Sequence, residues 1–121
     1  MVTPKLADVD LERLIDDVEE VSQGYARLHG ITRDAAWFLL KLQEEVGELT
    51  QAFLMLTGQA RSKGYSAQEI EERFHGELAD VVCHALLLAR HHGVDLEGAI
   101  ERKWLVWKSD RAVAAASQPV D

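Results

Sequence analysis

Apolar residues recur at helical spacing along almost the whole chain. Leu11, Leu14, Ile15, Val18, Val21, Tyr25 and Leu28 form one stripe, while Glu12, Asp16, Asp17, Glu19 and Glu20 mostly fill the other side as a solvated face. Asp8 or Asp10 can cap this first helix, and His29-Gly30 ends it. Thr32 is the expected N-cap of a second helix running to about Thr57. The polar stretch Gly58 to Tyr65, with two glycines, predicts a loop. Ser66 and Glu69 then predict a capping box for a third helix, which ends at His91-His92-Gly93. Asp95 caps a fourth helix with a stripe of Leu96, Ile100, Trp104 and Trp107. No strand alternation, internal repeat or glycine-rich phosphate loop interrupts this pattern.

The middle helices are apolar on more than one side. In the second, Glu44, Glu45 and Glu48 share an arc with Trp37, Ala52 and Met55, while Leu39, Leu42, Val46, Leu49 and Phe53 line the opposite side. In the third, only Asp80 and His84 are clearly polar between Leu78 and Ala89. A helix apolar nearly all round is expected to be buried. Four helices with short connections predict an all-α four-helix bundle, but four short helices cannot cover so much apolar surface. Completion by homo-oligomerisation, as a homodimer or homotetramer, is the expected answer. The chain reads as a single domain over 1–121, with its core at about 8–110 and loose ends at 1–7 and 112–121.

Chemistry enters with the carboxylates. Buried carboxylates are costly unless they are paired or bind a metal. Glu44, Glu45, Glu48, Glu77 and Asp80 sit in apolar helices, and no Arg or Lys is read in the second cluster's own stripe, so the set asks for a cation. The E-E-x-x-E spacing alone is weak, because glutamate favours helices and such clusters are commonly solvated. Asp80 strengthens it, as a poor helix former in an apolar run. Gly47 lies inside the first cluster and Gly76 immediately precedes the second, at a cost of about 1 kcal/mol each against Ala, which predicts close approach of a helix or ligand there.

Composition narrows the possibilities further. A net charge of -8 argues against general nucleic-acid or anionic-membrane binding. The one cysteine, Cys83, excludes an internal disulfide and reads as a small core residue. No apolar run reaches membrane-spanning length, and no basic segment followed by an apolar one opens the chain. The expected location is cytoplasmic.

Glu44-Glu45-x-x-Glu48 followed by Glu77-x-x-Asp80 resembles the signature of the MazG-like all-α nucleoside triphosphate pyrophosphohydrolases. The flanks Lys41 to Leu49 and Gly76 to Val82 are similar too, as is the exit from Leu87 through Arg90 and Gly93 to Leu96, into a last helix with Arg102-Lys103. Glu45 to Leu49 also resembles the metal-binding stretch of the dCTP pyrophosphatase branch. The likeness covers roughly residues 33 to 108, and the 28 residues between Glu48 and Glu77 lie at the long end of the family's range. Relatives commonly follow the Arg-Lys pair with Asn and soon another Lys, where this chain has Trp104 and Val106.

The resemblance implies hydrolysis of a nucleoside triphosphate to the monophosphate and pyrophosphate. Glu45, Glu48, Glu77 and Asp80 match the family's ligands for Mg2+, with Mn2+ a possible substitute. Glu44 is the candidate general base or a ligand to a second ion. Lys103 matches a family position for phosphate contact. Lys41 is placed to meet a phosphate or to pair with Glu45, Trp37 to stack on a base or join the core, and His84 to orient a carboxylate or act as an ordinary core histidine. Two other classes stay open. Glu72-x-x-His75 is a fragment of a di-metal carboxylate redox site, although no second such pair exists. A non-catalytic helical nucleotide-binding or interaction module is the other, and Trp104 and Val106 favour it.

Overall fold

The computed structural model describes residues 10–108, and every regular element among them is helical. The expected loose ends, 1–7 and 112–121, lie outside the described residues. Helix α1 spans Leu11–His29, α2 Ala35–Leu56, α3 Ala67–His91 and α4 Leu96–Lys103, followed by a 3-10 turn at Leu105–Trp107.

Local chemistry explains most boundaries. Asp10 accepts hydrogen bonds from the backbone N–H of Glu12 and Arg13, and Gly30 takes φ 63° as the left-handed cap that returns its N–H to Ala26. The capping box of α3 is complete: Glu69 N–H donates to Ser66 Oγ at 3.1 Å, and Ser66 N–H to Glu69 Oε1 at 2.9 Å. Asp95 accepts from Gly98 N–H at 3.1 Å to open α4.

Two boundaries differ from the sequence expectation. Asp34, not Thr32, caps α2, accepting from Trp37 N–H at 2.8 Å. Asp is the stronger cap, and the linker before it brings Arg33 back to Glu19 on α1. The stripe from Leu96 to Trp107 is also not one helix. α4 ends at Lys103, and the chain tightens into 3-10 bonds such as Trp107 N–H to Trp104 O at 3.3 Å. α4 packs chiefly against the turn that follows it, and Trp104, Leu105 and Val106 are about half exposed. Without tertiary burial, aromatic and β-branched residues have little reason to prolong a helix.

The organising unit is the antiparallel α2–α3 hairpin. Phe38 near the start of α2 stacks on His91 at the end of α3, with ring centroids 4.4 Å apart. Phe53 near the end of α2 meets Phe74 near the start of α3 at 6.2 Å. α1 lays its side along α3, where Arg90 Nε reaches Asp16 Oδ1 at 3.4 Å. The core is small: Ala26, Phe38, Ala52, Met55, Ile70, Leu86, Leu87 and Ala89.

Three expectations about burial are corrected here. α3 is not enclosed all round within one chain, because Leu78 and Val82 reach solvent on the side away from the hairpin contact. Glu19, expected on a solvated face, is buried against Arg33, because the returning linker covers it. A Cβ at Gly47 or Gly76 would meet open space, so neither glycine permits close helix approach.

Candidate metal centre

One carboxylate oxygen from each of Glu45, Glu48 and Glu77 lies within 4.8 Å of the other two. The hairpin's antiparallel run produces this convergence. Glu45 and Glu48 occupy successive turns of α2, and Glu77 meets them from the facing side of α3. Glu45 is buried, Glu77 half-buried and Glu48 exposed at the rim. Glu45 Oε2 and Glu77 Oε2 are both buried with no hydrogen-bond partner.

Electrostatics records the crowding. Burial first, then Glu48 and Asp80, push the Glu45 carboxyl up to about 7, against an opposing pull from Lys41. Glu77 is raised as well, by burial and then by Glu48 and Asp80. Three clustered carboxylates with orphaned buried oxygens are hard-oxygen donors, and this donor set fits a hard divalent cation.

The other expected site residues divide. Asp80, one turn from Glu77, is exposed but close enough to raise Glu45, Glu77 and Cys83. Glu44 does not join the cluster. Its side chain is 57% exposed, and Lys41 Nζ lies 3.4 Å from Glu44 and 3.6 Å from Glu45, which is the ion-pair outcome for Lys41. The expectation that all three glutamates of α2 share one arc is therefore corrected: Glu45 turns toward α3 and Glu44 toward water.

His84 Nε2 stands 4.0 Å from Glu45 Oε1, beyond hydrogen-bond reach, and its Nδ1 is buried without a partner. Burial and Lys41 push its pKa down, which favours the neutral imidazole. Cys83 is half-buried in the wall of the cavity rather than in the core, and burial and Asp80 raise its thiol, which disfavours a thiolate nucleophile. Lys103 is exposed at the end of α4, and among the described residues no hydrogen bond or ion pair ties it to the carboxylates. Glu72 and His75 are both exposed, with His75 within 4.0 Å of Glu71 instead, so no di-metal fragment assembles around them.

Beside the carboxylates opens a cavity of about 590 Å³, within the range of small-molecule sites. Trp37, Lys41, Glu45, Asp80 and His84 line it from the hairpin, and Val18, Val21, Ser22 and Tyr25 from α1. Trp37 is thus a half-buried wall, edge-on to His84 at 6.2 Å. The contribution of α1 was hidden in the sequence, where Val21 and Tyr25 look like any helical stripe.

Also missed was Arg73, one turn before Glu77. The stripe read as free of Arg and Lys in fact begins with this cation, which pulls Glu77 back toward the charged form. No described helix is long and apolar enough to cross a membrane. No family model, curated protein or solved structure matches the chain.

Proposed function

We propose that the protein is a magnesium-dependent nucleoside triphosphate pyrophosphohydrolase of the MazG-like kind, converting a triphosphate and water to a monophosphate and pyrophosphate. The observation that carries this reading is the convergence of Glu45, Glu48 and Glu77, with the buried Oε2 of Glu45 and of Glu77 each lacking a hydrogen-bond partner. A polyanion binds an acidic site only with divalent cations present. A bound Mg2+, or Mn2+ in its place, supplies charge screening and a lowered pKa for water.

The chain's own residues supply the rest. Glu45, Glu48 and Glu77 would hold the ion, and Asp80, one turn along α3 from Glu77, would add negative charge beside them. Trp37 and Tyr25 give the neighbouring cavity aromatic walls suited to a base. Lys41 is already balanced by Glu44 and Glu45, so it tunes the cluster's charge more than it grips phosphate. Glu44, turned toward water and paired with Lys41, stands outside the ligand set. Product analysis on a panel of nucleoside triphosphates with magnesium tests the reading. Equimolar monophosphate and pyrophosphate from at least one nucleotide is expected; no release from any of them overturns it.

A second reading has its own observation. Lys103 stands apart from the carboxylates, and Trp104 and Val106 replace polar residues of the family pattern. Both favour a helical module that binds nucleotides without turnover. Nucleotide binding without pyrophosphate release would decide for it.

A further inference from the structure

A basic pocket lies at the other end of the carboxylate cluster from the Trp37 cavity. It has a volume of about 210 Å³ and is bounded by Gln51, Leu54 and Met55 of α2, Lys63 and Tyr65 of the connecting loop, and Arg73 of α3. Arg73 Nη1 donates to the Tyr65 hydroxyl at 2.8 Å, and its guanidinium lies 4.7 Å from the centre of the Tyr65 ring. Its Nε is buried and has no acceptor. A buried charged donor left without an acceptor is unfavourable. Two cations, Arg73 and Lys63, line the pocket, yet among the described residues no carboxylate lies within ion-pair distance of either. In a chain of net charge -8 that arrangement leaves room for an anion from outside.

Position gives the anion's identity. Arg73 precedes Glu77 by one turn, about 6 Å along the helix, and Gln51 follows Glu48 by nearly one turn. Along the hairpin the order is therefore aromatic cavity, carboxylates, basic pocket. A nucleoside triphosphate has the same order of base, inner phosphates and outer phosphates.

We propose that this pocket is an anion subsite that holds the outer phosphoryl groups of the triphosphate, and the pyrophosphate they become, with Arg73 as its principal donor and Lys63 as its rim charge. The inference rests on the proposed function for its substrate, but it moves phosphate recognition from Lys103 to the α2–α3 loop. Loop anchoring supports this: Gln59 N–H and Ala60 N–H both donate to Leu54 O, at 2.8 and 3.0 Å, which folds Lys63 and Tyr65 back over the end of α2.

The test is titration of inorganic pyrophosphate with magnesium into the wild-type protein, Arg73→Gln and Lys63→Asn. Lys63 has φ 53°, and Asn tolerates that backbone, so the second variant removes charge without strain even if the first folds poorly. Expected is a loss of pyrophosphate affinity of roughly tenfold or more in Arg73→Gln and a smaller loss in Lys63→Asn, with magnesium-induced stabilisation retained. Equal affinity in all three proteins, or no binding by the wild type, overturns the proposal. Nucleotide kinetics separate the two readings. Turnover with an unchanged KM in both variants overturns the subsite alone, whereas Arg73-dependent pyrophosphate binding without any turnover overturns the pyrophosphohydrolase alone.

Discussion

Arg33 in the α1–α2 linker grips Glu19 of α1 with both arms, Nη1 to Oε1 at 2.9 Å and Nη2 to Oε2 at 2.8 Å. Gln23 adds a third bond to Glu19 at 2.7 Å, and Arg90 of α3 approaches at 3.4 Å. The pair joins α1, the linker and α3 at one point, and only 15% and 9% of the two side chains are exposed.

Glu19→Ala should therefore destabilise the chain by about 3 kcal/mol, because it leaves a largely buried guanidinium without its carboxylate. The hydrogen bond from Arg33 holds the Glu19 carboxyl below its ordinary 4.5. A lowered folded-state pKa gives stability that is present above 4.5 and is lost as pH falls through the folded value. Denaturant melts across the acid range should show wild type and Glu19→Gln converging at low pH.

The carboxylate cluster carries the opposite sign. With Glu45 pushed up to about 7, its favourable contribution is full below the ordinary 4.5 and is lost as pH rises through about 7. In chelator this contribution should make the melting temperature fall between about pH 4.5 and pH 7 and level off above that. Magnesium at about 100 times its Kd should add roughly 2.7 kcal/mol and remove most of that fall. A midpoint indifferent to saturating magnesium would count against a preformed site.

Neutralising the cluster should separate stability from turnover. Glu45→Gln keeps size and removes one of the crowded charges, so its melting temperature in chelator at about pH 8 should match or exceed wild type, by a gain on the order of 2 kcal/mol. The same variant should lose magnesium stabilisation and pyrophosphate release together. A destabilised Glu45→Gln in chelator would show that the carboxylate has a structural partner instead.

Assembly follows from the apolar surface left open. Leu40 is 64% exposed, Val82 49%, and Leu39, Phe53 and Leu78 lie in the same range. Surface of this kind on both hairpin helices is expected to be buried between subunits as a dimer or tetramer. Sedimentation at micromolar concentration checks it: Leu40→Glu should shift the population toward monomer, and a monomeric wild type would sink the expectation.

What the sequence determined by itself was local. Helical periodicity, the Ser66–Glu69 box, the Asp10 and Asp95 caps and the glycine stops are written in neighbours within a turn or two, where short-range bonds dominate. The chain also carries the acidic spacing of Glu45, Glu48 and Glu77 in plain view, since i,i+3 residues share a face whatever surrounds them. Tertiary structure decided the rest. Glu44 and Glu45 are adjacent in sequence, yet only the approach of α3 separates the solvated one from the buried one. Thr32 lost to Asp34 because Arg33 had a partner fourteen positions away. The stripe beyond Lys103 did not stay helical because no long helix covers it. Periodicity records which residues can be buried together, but burial and charge pairing depend on the element that arrives across the gap.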